Sequence, residues 1–171
     1  MPYLAAAVVL VGLIAVLNLL LTLALARRLK EPAAAGTTHS GPPVVLRPGS
    51  RPAAFASSTT DGEPVTDATL PALVAFFSAG CGPCHAQAPS VAEHARAAGR
   101  ENVLAVIAGD DPELVATLAP DVRLVVEEDQ AGPVSAAFQN EWTPALYLMG
   151  DDRTVLATGG RLTDLPLPAR G

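Results

Sequence analysis

Two cysteines, Cys81 and Cys84, constrain what this chain can fold into more than any other feature. They are the only cysteines present and lie in the single stretch Cys81-Gly82-Pro83-Cys84. The unbroken apolar run Leu73-Val74-Ala75-Phe76-Phe77 precedes them, as expected of a strand buried on both faces of a sheet. A helical stretch follows, from Pro83 to about Ala98, with Pro83 in the first turn, where its missing N–H is tolerated. One close pair cannot staple a small domain, so the placement suits redox chemistry or a metal better than structural crosslinking.

A strand–turn–helix setting gives such a pair a physical purpose. At a helix N-terminus the unpaired N–H groups and the helix dipole favour a thiolate, and a lowered thiol pKa makes the sulfur a nucleophile near neutral pH. Two intervening residues bring the second sulfur within bonding reach, so that it can resolve a mixed disulfide. Cys81 is therefore expected to attack and Cys84 to release the product.

The rest of the C-terminal two thirds alternates strands and helices. Strands are expected at Ala53–Ser57, Val103–Ala108, Arg123–Glu127, Ala145–Met149 and Val155–Ala157, with a turn at Asp61-Gly62 and another at Gly150-Asp151-Asp152. Helices are expected from Pro112 to Leu118, opened by Asp110 and Asp111, and from Pro133 to Gln139. That order predicts an α/β domain, a mixed sheet with helices on both faces. Asp110, Asp111 and Glu113 read as helix-start charges, and Glu127, Glu128 and Asp129 as a solvated acidic loop.

At this point a family resemblance becomes specific. Residues 76–89, FFSAGCGPCHAQAP, resemble the active-site segment of thioredoxins and of their membrane-tethered, TlpA-type redoxin relatives. The match includes Gly82-Pro83 between the cysteines and Pro89, which in that family kinks the active-site helix. Trp142-Thr143-Pro144-Ala145 resembles the family's Thr-Pro loop, which implies a cis Pro144 beside the cysteines and a Thr143 backbone that docks an extended substrate segment. The resemblance spans roughly residues 44 to 160. It implies a thioredoxin-like fold, protein disulfides as substrates, a thiol electron donor, no bound cofactor and no metal. Gly82-Pro83 is the thioredoxin dipeptide, so a reductant is expected, with a potential nearer about −270 mV than about −120 mV. Three positions depart from the pattern: Gly80 stands where a Trp is usual, Ala75 where thioredoxins keep a buried Asp, and Gln87 where TlpA-type relatives often have Glu. No obvious carboxylate is then left to take a proton from Cys84. His85 lies one turn beyond Cys81, placed either to tune its thiol or to face solvent.

The N-terminal region reads differently. Tyr3 to Ala26 carries no charge and is long enough to cross a hydrocarbon core of about 30 Å, so residues 3–26 are expected to form a transmembrane anchor. A cleaved signal peptide fits less well, because no basic residue precedes the run and the run is too long. Residues 27–50 begin with Arg27, Arg28 and Lys30 and continue as a Pro/Gly/Ala-rich linker. The thioredoxin-like domain is then expected at 51–162 and a tail at 163–171. A similar anchor ending in Arg-Arg-Leu occurs in redoxin-like proteins related to the methylamine-dehydrogenase accessory protein. The basic cluster places the domain in the cytoplasm by the positive-inside rule, whereas TlpA-type relatives work outside it. Because disulfides persist outside, the expectation tips to the extracytoplasmic side of the cell membrane, with apocytochromes or exported proteins as substrates.

Other readings compete. Cys81 to His85 also spells the c-type haem attachment motif, with His85 as iron ligand. A zinc site lacks ligands, since His85 and His94 stand about 13 Å apart along a helix. A domain that kept the fold and lost the chemistry, acting as a chaperone or accessory module, is a further alternative. Nucleic-acid binding is set aside, because a net charge of −6 and 4% aromatic residues provide neither a basic face nor a stacking platform.

Overall fold

In the computed structural model of the chain, the residues described are 46–167 together with Gly12. The anchor expected at 3–26 and the first part of the linker lie outside that range. Among the described residues, no helix is long and apolar enough to cross a membrane.

A five-stranded mixed sheet organises the domain. Its strands are β3 (Leu73–Ser78), β4 (Val103–Ala108), β5 (Arg123–Glu127), β6 (Ala145–Met149) and β7 (Val155–Gly159), in the order β5-β4-β3-β6-β7. β4 runs parallel to β3 and β5, whereas β6 is antiparallel to β3 and β7. The central strand β3 is flanked by the parallel and antiparallel halves, so the motif at its C-terminal end emerges from the middle of the sheet. Helices α1 (Gly82–Ala98), α2 (Pro112–Leu118) and α3 (Pro133–Ala137) connect the parallel strands and lead into β6.

Strand alternation divides the buried residues into two cores, one on each face. Leu73, Ala75 and Phe77 of β3 point to the side covered by α1 and α2, where they meet Ala88, Val91 and Leu114. Val74 and Phe76 point to the other side, where Val134 and Phe138 close the core around Tyr147. There Phe76, Phe138 and Tyr147 pack with ring centroids 5.0 to 5.5 Å apart, within the range of favourable aromatic pairs. Packing reaches past residues 51–162 on both sides, because Leu46 joins the second core and Leu165 the first.

The opening strand differs from its expected place. β1 is Ala56–Ser58 rather than Ala53–Ser57, and it pairs not with the sheet but with β2 (Pro64–Thr66), a strand with no signal in the sequence. The Asp61-Gly62 turn joins them, with Gly62 at a φ of 81° that glycine accepts freely. Arg100 and Arg123 anchor the ribbon by ion-pairing with Glu63. The acidic-loop expectation also fails at one residue. Glu127 is buried, accepting the Val134 and Ser135 amides and the Ser135 hydroxyl at the start of α3. It shares the β5 face of Val125, and α3 covers that face. Glu128 and Asp129 are exposed as expected.

Candidate active site

β3 delivers the chain to the site and α1 receives it. Between them, Gly80 adopts a φ of 71°, where an L side chain is strained although the space beside its Cα is open. One of the three positions that depart from the resembled pattern is thus one whose backbone favours glycine. Cys81 then caps α1, its sulfur accepting the Cys84 amide at 3.2 Å. A donor aimed at that sulfur from a helix of 17 residues is an arrangement that stabilises a thiolate.

Cys81 and Cys84 are joined as a disulfide. Their surroundings differ. Cys81 is partly accessible, whereas Cys84 is fully buried in the core between β3 and α1, in the same cluster as Ala75 and Ala88. Of the two residues, only Cys81 is accessible to solvent. Pro89 sits inside α1 and supplies no amide for the carbonyl of His85 one turn earlier.

Thr143 and Pro144, read from the sequence as a docking loop, do lie beside the cysteines. The Thr143–Pro144 peptide is cis, and the Thr143 carbonyl oxygen is 3.7 Å from the Cys81 sulfur. Two tethers hold this loop. The Thr143 hydroxyl bonds the Ser78 hydroxyl at 2.5 Å, and the buried Asn140 amide donates to the Trp142 carbonyl at 2.8 Å. Asn140 is fixed in turn by the buried Tyr147 hydroxyl at 2.9 Å. Trp142 itself is 47% exposed, so it is not a core residue.

His85 is half-buried and turns toward α2. Its Nε2 lies 3.0 Å from Asp111 Oδ2 and its Nδ1 3.7 Å from Glu113. Asp111 does cap α2, accepting the Leu114 amide, but the same carboxylate also accepts the Gly80 amide at 3.4 Å. The Leu114 amide above all, then the Gly80 amide and the imidazole, hold its carboxyl below the ordinary value against the opposing effect of burial. The capping role was legible in the sequence. The reach to the cysteine loop was not, because it depends on how α2 packs beside α1.

Of the groups in the Cys-x-x-Cys-His stretch, the two sulfurs bond each other and the His85 Nε2 bonds Asp111.

No protein-family model matches the chain, and no curated protein matches it. Solved structures do. The thioredoxin domain of a thiol-disulfide oxidoreductase from Bacteroides vulgatus superposes with a TM-score of 0.55 at 20% identity, covering 70% of this chain and 93% of its own. The chain has a thioredoxin-like fold. A thio-disulfide isomerase from Thermus thermophilus shares that fold at a TM-score of 0.52 and 24% identity, over 68% of this chain and 88% of its own. So does a thiol:disulfide interchange protein from Bacteroides sp., at 0.52 and 19%, over 67% and 84%. In this thioredoxin-like domain the Cys-x-x-Cys pair stands at the junction of the central strand and the first helix.

Proposed function

We propose that the chain is a membrane-tethered thiol-disulfide oxidoreductase that reduces disulfides in partner proteins through Cys81 and Cys84. The observation that carries this reading is the inequality of the two sulfurs. Cys81 is accessible, caps a helix and faces the Thr143 carbonyl, while Cys84 is sealed in the core behind it.

In the reduced protein, the Cys81 thiolate attacks one sulfur of a substrate disulfide. A mixed disulfide forms and the substrate's other sulfur leaves as a thiolate, which takes up a proton. Cys84 then loses its proton and attacks the Cys81 sulfur, forming the intramolecular disulfide and expelling the substrate's second thiolate. Two electrons pass to the substrate, and a thiol donor restores the pair. The cysteines themselves store the electrons, so no bound cofactor takes part. An extended substrate segment lies along the cis Thr143–Pro144 loop, with backbone contacts holding it near Cys81.

Residues 3–26 anchor the domain in the cell membrane, with the domain outside the cytoplasm and exported proteins or apocytochromes as substrates. Labelling of intact cells with a membrane-impermeant maleimide, after a permeant reductant, tests the orientation.

The activity is tested by insulin-disulfide reduction with dithiothreitol as donor. The whole chain accelerates it, Cys81→Ser abolishes the acceleration, and Cys84→Ser accumulates a mixed disulfide. Equal activity of wild type and Cys81→Ser would sink the proposal. Titration in glutathione buffers places the potential nearer about −270 mV than about −120 mV if the protein is a reductant.

A further inference from the structure

We propose that Asp111 is a positioning residue that clamps the cysteine loop on both sides and, through His85, sets how readily Cys81 becomes a thiolate. This rests on the reading of Cys81 as the attacking sulfur. Two carboxylates are buried among the described residues, Asp111 and Glu127, and Glu127 is committed to the start of α3. Asp111 instead reaches the motif at two points. It accepts the amide of Gly80, the residue before Cys81, and it pairs with the ring of His85, the residue after Cys84. One side chain from a separate helix thereby spans the whole Cys-x-x-Cys turn.

The charge balance of this arrangement changes with the imidazole. A negative carboxylate beside the loop opposes a second negative charge on Cys81, while a protonated His85 offsets it. The groups placed on the ring are Asp111 and Glu113, both from the start of α2. On α1, residues 82–89 contain no ionisable side chain besides Cys84 and His85 themselves. Asp111 thus acts on the Cys81 side of the turn through the Gly80 amide and on the Cys84 side through the His85 ring.

The test is the pH profile of iodoacetamide alkylation of Cys81 in the reduced 171-residue chain, with Cys84→Ser as the common background. Asp111→Asn retains a good helix cap and loses only the charge. It is expected to raise the alkylation rate at pH 6 about threefold or more, equivalent to half a pKa unit. Asp111→Ser also caps α2 but is too short to reach His85, and it should raise the rate in the same direction. His85→Gln removes the ring that couples Asp111 to the residue after Cys84 and is expected to lower the alkylation rate. The Asp111→Asn/His85→Gln double variant then departs from the sum of the single effects. Profiles of both single variants that superimpose on wild type, or strictly additive effects in the double variant, would overturn the proposal. Alkylation needs no protein substrate, so a failure of insulin reduction by wild type would count against the function and not against this coupling.

Discussion

The hydroxyls of Ser78 and Thr143 meet at 2.5 Å, although 65 positions separate them in the chain. Ser78 ends the strand that leads into the cysteines, and Thr143 precedes the cis proline, so this bond ties the two halves of the site together. Ser78→Ala is expected to cost about 1 kcal/mol of stability. It should raise the KM for insulin while the reduction potential stays unchanged, because neither sulfur loses a neighbour. Insulin kinetics and a glutathione titration on the same preparation check this. A shifted potential at constant KM would contradict the positioning role.

Tyr147 predicts an alkaline response. Burial pushes its phenol well above the ordinary value, so the folded protein keeps a proton that the unfolded chain releases near about pH 10. Stability therefore falls as pH rises past that value. Tyr147→Phe removes this loss, but it strips the buried Asn140 oxygen of its donor and costs about 1–3 kcal/mol at neutral pH. Urea unfolding at pH 8 and pH 10.5 should show the gap between variant and wild type narrowing. A constant gap would mean that the phenol does not titrate on unfolding.

Glu127 holds three donors at the start of α3, two amides and one hydroxyl. Glu127→Ala leaves them buried without a partner and is expected to destabilise the domain by about 2–3 kcal/mol. Glu128→Ala, at the exposed neighbour, should fall within about 0.5 kcal/mol of wild type. Chemical denaturation of the two variants side by side decides whether the acidic run is structural at one position only.

Trp142 is the sole tryptophan and stands next to Thr143, whose carbonyl borders the Cys81 sulfur. Its fluorescence should rise on reduction, because a nearby disulfide quenches indole emission. The change should be absent in Cys81→Ser. An emission spectrum that ignores dithiothreitol would place the ring away from the sulfurs.

Much of this architecture was legible in the residues. The apolar runs of β3 and β4 are buried along their length, and α1 ends at the expected Ala98, before a Gly99 with a φ of 99°. β2 was not legible, because three residues opening with a proline carry no alternation and depend on β1 for their pairing. Glu127 was misread because a run of acidic residues suggests solvent. Its burial follows from sharing a strand face with Val125, which matters only once α3 is known to cover that face. The cysteines, Thr143 and Pro144 were all named from motifs, and the structure brings them together. Asp111 was assigned its local task alone, since a contact across 26 positions leaves no mark on either segment.

The reactive pair and the loop that faces it take their positions from opposite sides of one sheet. Cys84 is rooted among the residues beneath α1, whereas the Thr-Pro loop hangs from Asn140 and Tyr147 on the side of α3. Repacking beneath α1 therefore acts on the sulfurs, and repacking around Tyr147 acts on the loop that faces them. If the proposed function holds, a lineage carrying this scaffold could alter its clientele without retuning its electron affinity.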